Sequence, residues 1–165
     1  MSSRTLALAV AGLTAAAVAA PVLAQSSGGG QTISFHELNK GSRFAYIDNP
    51  PRNPHRRRPV FSVGDQIVLA NPLGDDSGAK LGELRATCTF TKKAPATDNT
   101  NPAHPFCTGA FVLKPGTLFI QTTDTGGKMT RGAVVGGTGS YVGARGTFTS
   151  AATKSGADDV VSLLP

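Results

Sequence analysis

The sequence predicts an all-β fold, a single small closed barrel, and three observations carry that expectation. After Leu23 no stretch keeps an apolar period of 3.6 residues. Apolar and β-branched residues gather instead into short runs: 32–39, 44–48, 60–71, 81–91, 106–113, 117–123, 129–135, 141–150 and 159–164. Turn residues punctuate these runs, among them Pro72-Leu-Gly-Asp-Asp-Ser-Gly78 and Lys114-Pro-Gly116. Nine or fewer short strands at close spacing describe a barrel or a sandwich.

The first element is not part of that domain. Arg4 gives a basic start, Thr5 to Leu23 is almost wholly apolar, and Val22-Leu23-Ala24 ends on the small residues that a signal peptidase reads. Residues 1–24 are therefore expected to be a cleaved signal peptide, which directs the protein to the extracellular side. A membrane anchor is the alternative, since the run approaches the length that spans a bilayer; its Ala-rich, weakly hydrophobic composition argues against it. No later segment is long and apolar enough for a membrane span, and no Cys at the cleavage point offers a lipid anchor. Residues 25–31, with Ser26-Ser-Gly-Gly-Gly30, form a flexible lead-in. The barrel domain is expected over 32–165, long enough for one core.

Two loops interrupt the strands. Asn49 to Pro59 holds four prolines and four arginines, which excludes a central strand. Its arginine run admits three readings: a solvated loop, an electrostatic lip for an acidic ligand, or a nucleic-acid contact. The last is set aside for want of interleaved aromatics, and no nucleic-acid partner is expected. The formal charge of +6 otherwise fits a soluble basic protein. The second loop, Thr91 to Pro105, is bracketed by Cys88 and Cys107. Outside the cytosol these two are expected to pair, closing a ring worth about 3 kcal/mol; two free thiols are the alternative.

Strand parity places side chains on faces, because residues at i, i+2 and i+4 share one. Leu84, Ala86, Cys88 and Phe90 form a clean apolar set that reads as interior. Asp65, Ile67, Leu69 and Asn71 share a face of the third run, and Phe35, Glu37 and Asn39 share one of the first. A carboxylate on an interior face is costly unless paired. Several chemistries are excluded by pattern. Gly136-Gly-Thr-Gly139 lacks the Lys-Ser/Thr of a phosphate loop and reads as a tight turn. His36, His55 and His104 have no metal-ligand spacing, and Asp75-Asp76 lacks a calcium-loop pattern, so no metal and no cofactor is expected. No Ser sits in a nucleophile elbow.

Four segments, in order, resemble a known family. Val134-Val-Gly-Gly-Thr-Gly-Ser-Tyr-Val-Gly-Ala-Arg-Gly146 is similar to a turn and strand shared by dirigent proteins and the allene oxide cyclase barrel. Phe35-His-Glu-Leu-Asn39 with Gly41-Ser and Ala45-Tyr46, Gly64-Asp-Gln-Ile-Val-Leu-Ala-Asn-Pro-Leu73, and Gly82-Glu-Leu-Arg-Ala-Thr-Cys88 resemble further cyclase segments. The resemblance implies an eight-stranded antiparallel barrel with a ligand cavity, often a homotrimer. It implies a cofactor-free cyclase or isomerase of a small, largely apolar, oxygenated substrate such as an oxylipin- or polyketide-like epoxide. Carried over by position, Glu37 steadies developing positive charge, Asn39 and Asn71 hold a water on the epoxide oxygen, and Cys88 matches a cavity cysteine; with the apolar residues that share these faces, Phe35, Leu69, Cys88 and Phe90 are expected to line the substrate site. Two departures stand against full transfer: the cyclase's proline falls at Arg43 or Phe44, and Ala70-Asn71 replaces an acid pair of dirigent proteins.

Three functions follow: that isomerase, a barrel that binds a small hydrophobic ligand without changing it, and a dirigent-like protein that steers phenoxy-radical coupling. The plainer readings are an ion pair for Glu37 and strand-end capping for the two asparagines.

Overall fold

A computed structural model describes residues 30–49, 61–92, 105–123 and 128–165. The expected signal peptide, most of the lead-in, the arginine run, His55 and His104 lie outside the described residues. Among the described residues there are nine strands: β1 (Thr32–Leu38), β2 (Arg43–Ile47), β3 (Gln66–Gly74), β4 (Lys80–Thr89), β5 (Phe106–Leu113), β6 (Gly116–Thr123), β7 (Met129–Gly137), β8 (Gly146–Ala152) and β9 (Gly156–Leu163). Every pairing is antiparallel. The order β1-β9-β8-β7-β6-β5-β4-β3 returns to β1, so eight strands close a barrel as expected.

The ninth strand, β2, lies outside the ring and pairs only with β3. β3 is shared along its length. Its first half, Gln66 to Ala70, pairs with β2. Its far end meets β1 through His36 opposite Gly74 and Glu37 opposite Leu73. Closure therefore rests on a short seam beside Glu37.

Inward-facing residues fill one end of the barrel. Phe35, Leu73, Phe111, Leu118 and Val161 are all buried there, with Tyr141 and Leu163. Phe111 meets Phe35 edge to face at 4.7 Å and Phe148 at 5.8 Å. The glycine-rich segment forms a 3-10 turn, Gly139–Tyr141, that caps this end. Gly139 has φ +59°, and a Cβ there would lie 2.5 Å from the Pro115 carbonyl oxygen, so no other residue fits as well.

Two strand expectations are corrected. The run 60–71 becomes strand only at Gln66, because Asp65 organises a turn before it. The buried Asp65 carboxylate accepts from the Ser62 backbone N–H at 2.7 Å, the Ser62 hydroxyl at 2.9 Å, the Asn49 N–H at 3.0 Å and the Tyr46 hydroxyl at 2.5 Å. The run 141–150 becomes strand only at Gly146, because the 3-10 turn and Gly143 (φ +78°) carry the chain around the corner first.

Candidate active site

A cavity of about 180 Å³ lies inside the barrel. Leu69, Leu84, Ala86, Ile120 and Phe148 give it apolar walls, and Glu37, Thr122, Thr130 and Ser150 add polar groups. The Cys88–Cys107 disulfide forms part of the lining. The two cysteines are register partners on β4 and β5 with Cα atoms 3.9 Å apart, so the expected bridge forms and Cys88 offers no free thiol.

The acidic wall is assembled by two diagonal contacts around β1. Glu37 stands opposite Leu73 on β3, and Asn71 is two residues along on the same face. The Asn71 side-chain N–H donates to the Glu37 carboxylate at 2.5 Å. On the other flank Phe35 stands opposite Asp159 of β9, which makes Asp159 and Glu37 diagonal neighbours. Asp159 is 1% exposed, and neither of its carboxyl oxygens has a hydrogen-bond partner of normal geometry. Burial pushes its pKa up to about 8, reinforced by the negative charge of Glu37; Ser150, its register partner on β8, pulls weakly the other way. A carboxyl so placed is largely a neutral acid at pH 7.

The candidate residues thus divide. Glu37 and Asn71, from opposite sides of the seam, are brought together, and Leu69 and Cys88 line the same cavity. Asn39 is not brought to them. β1 ends at Leu38, and the exposed Asn39 lies in the following turn, its backbone N–H on the Ser155 carbonyl. That arrangement fits strand-end capping, and it dissolves the expected pair of asparagines around a water. Phe35 packs in the core beneath, against Phe111. Phe90 belongs to a separate cluster, stacked on Phe61 at 4.1 Å. Asp159 had no place among the candidates, although Asp159, Val161 and Leu163 share one parity and that alternation marked it as inward-facing.

Other features lie outside the barrel. His36 points away from the cavity, with Nε2 2.8 Å from Asp76 and Nδ1 2.6 Å from Asp158, and these acids raise its pKa. A second concavity, about 580 Å³, is an open groove on the outer face of β2 to β6. It carries no acid–base pair; its arginines, Arg43 and Arg85, both bond Glu83. Among the described residues no cluster of three or more His, Cys, Asp or Glu is placed to hold a metal ion.

Residues 51–160 match the family model described as allene oxide cyclase barrel like domain. No curated protein matches the sequence. Similar solved structures include a pyocyanin demethylase (20% identity, TM-score 0.63, covering 81% of this chain and 100% of that one). The pterocarpan synthase dirigent protein PsPTS1 is similar at 15% identity and TM-score 0.51, covering 81% and 90% of the two chains. The Diels-Alderase AbmU from Streptomyces koyangensis is similar at 17% identity and TM-score 0.52, covering 84% and 72%. At these identities the likeness is one of fold.

Proposed function

The chain belongs to the allene oxide cyclase barrel like family, and from that premise we propose that it is a cofactor-free isomerase or cyclase of a compact, largely apolar epoxide. The observation that carries this reading is the Glu37–Asn71 contact, a carboxylate held by an amide at a cavity whose other lining groups are apolar or hydroxylic. In such a site a fixed negative charge stabilises positive charge that develops as a C–O bond breaks, and it acts through a low dielectric. Asn71 is a positioning residue: its N–H fixes the direction of the Glu37 carboxylate. Apolar walls exclude water that would capture a cationic intermediate, and a narrow cavity favours the folded conformer that closes a ring.

The volume, about 180 Å³, lies below the roughly 300–1,000 Å³ of cavities that enclose drug-sized ligands. It favours a short or ring-containing substrate over a long oxylipin chain. Structural neighbours named for cycloaddition and for pterocarpan synthesis support a cyclising role on this fold. Export through residues 1–24 is part of the proposal, and an oxidised cystine suits that compartment. A second copy of the chain on the outer face around Val68, Ala70 and Phe119 would give the assembly that the family resemblance implies, which sedimentation would report.

Incubation with short conjugated epoxides, followed by chiral chromatography, tests the reading. Wild type should convert at least one of them. Glu37→Gln should lose about a hundredfold or more in kcat, on the scale of removing one electrostatic stabiliser. Asn71→Ala should lose about tenfold while ligand binding changes little. A panel in which every bound epoxide is recovered unchanged overturns the enzyme reading in favour of a simple ligand-binding barrel. Altered stereochemistry seen only with an added oxidase would point to dirigent-like steering.

A further inference from the structure

Glu37 and Asp159 form two neighbouring carboxyls at a wall that is otherwise apolar or hydroxylic. Among the described residues no lysine, arginine or histidine pairs with either. The nearby cations are engaged on the outer face: His36 with Asp76 and Asp158, Arg43 and Arg85 with Glu83. Asp159 is buried to 1% exposure, neither oxygen has a hydrogen-bond partner of normal geometry, and its strand parity turns it inward beside Val161 and Leu163. A half-buried carboxylate beside a fully buried carboxyl, with no resident counter-ion among the described residues, is complementary to a positive charge supplied from outside.

We infer that the Glu37–Asp159 pair makes the barrel cavity a binding site for a compact organic cation of delocalised charge, such as an N-alkylated heteroaromatic ring. A compact ammonium is strongly hydrated, and these walls cannot replace its water. A delocalised ring cation is less strongly held by water and brings apolar surface of its own. Leu69, Leu84, Ile120 and Phe148 receive that surface, while Glu37 meets the charge. The inference deepens the isomerase reading, on which it rests for biological purpose, since a stable cation imitates the charge that a substrate would develop.

Asp159 does not line the cavity; it acts through Glu37 and is a positioning residue. The groups that face it are Glu37 from β1 and Ser150 from β8, with Asp158 on its own strand adding charge from the opposite face. Asn71 from β3 holds Glu37 in turn. As pH rises and Asp159 loses its proton, the negative charge of the site grows. Affinity for a cation must rise with it, and cation binding at neutral pH must release protons.

Calorimetric titration with N-methylquinolinium and its uncharged isostere 1-methylnaphthalene tests this at about pH 6 and about pH 9, either side of that titration. The cation should bind at least about tenfold more tightly than the isostere, and about tenfold more tightly at the higher pH. Asp159→Asn should keep the preference for charge but lose the pH response and the proton release, which a merely structural residue would not control. Glu37→Gln should lose the preference itself. Equal affinity for the isosteres, no binding of the cation, or an unchanged pH response in Asp159→Asn overturns the inference. Should a variant not fold, proton release by the wild type decides: release supports the site, and none refutes it. Cation preference without epoxide turnover would sink only the isomerase reading; turnover with equal affinities would sink only this one.

Discussion

Asp159 carries a cost that can be measured as pH dependence of stability. Its pKa stands near 8 in the fold against an ordinary value of 3.8, because burial and the charge of Glu37 favour the neutral acid. The native state therefore binds more protons than the unfolded chain between those values, and stability falls as pH rises through that window. Two other groups bracket the effect. Asp65 is also buried, which alone would raise its pKa, but its bonds from Tyr46, Asn49 and Ser62 outweigh burial and lower it. Its contribution is present above the usual carboxylate range and fades only in more acidic solution. His36, raised by Asp76 and Asp158, contributes in the same direction as Asp159 but remains intact in a variant at 159. We expect the fall in Tm between about pH 5 and about pH 8 to be clearly smaller in Asp159→Asn than in wild type. Calorimetry that shows identical falls would mean that Asp159 does not resist ionisation.

Strands explain what single residues cannot. β4 and β5 present Cys88 and Cys107 directly opposite each other, and the bridge ties the two strand ends beside the cavity. The pair closes a chain segment with a sequence separation of 19, for which loop entropy gives about 3 kcal/mol. Denaturant titration of the Cys88→Ser/Cys107→Ser variant should show a loss of about that size; a loss under about 1 kcal/mol would place the stabilisation elsewhere. The same element scale sets the room in the cavity. Gly132 of β7 lies across from Phe148, and a Cβ at Gly132 would sit 2.2 Å from that ring. Glycine there lets the ring lie flat against the wall, so the cavity keeps an aromatic side.

At the scale of the whole barrel, closure is uneven. β3 pairs with β4 over its full length, but on its other edge β2 takes Gln66 to Ala70, Asn71 and Pro72 have no register partner, and β1 meets only Leu73 and Gly74. Backbone amides that bond across the β1–β3 seam, within the pairs His36–Gly74 and Glu37–Leu73, should therefore exchange hydrogen sooner than those of β5 and β6 in native-state exchange followed by NMR. Uniform protection around the ring would show that the seam is no weaker than the rest. The site is built on this seam, so loosening it should disturb Glu37 and Asn71 before it disturbs the aromatic core.

The residues themselves determined much of this protein. Period-two alternation and turn residues located all nine strands to within a few positions, apart from Asp65 with its turn and the 3-10 turn at Gly139–Tyr141, where local hydrogen bonds and glycine conformations override β-propensity. Parity also grouped Leu69 with Asn71 and Phe35 with Glu37 on shared faces and marked the face of Cys88 as interior, because alternation is a local property of each strand; with Leu38 on the opposite face, it left the inward side of β1 to the tertiary structure. It misjudged Asn39 because parity holds only while the strand continues, and β1 stops at Leu38. What no local pattern contains is which strands become neighbours. The meeting of Glu37 with Asn71, 34 residues apart in sequence, and with Asp159 from the final strand was decided by closure of the ring. Only that closure takes water from Asp159, and a carboxyl's charge is governed by the water it has lost rather than by its position in the sequence.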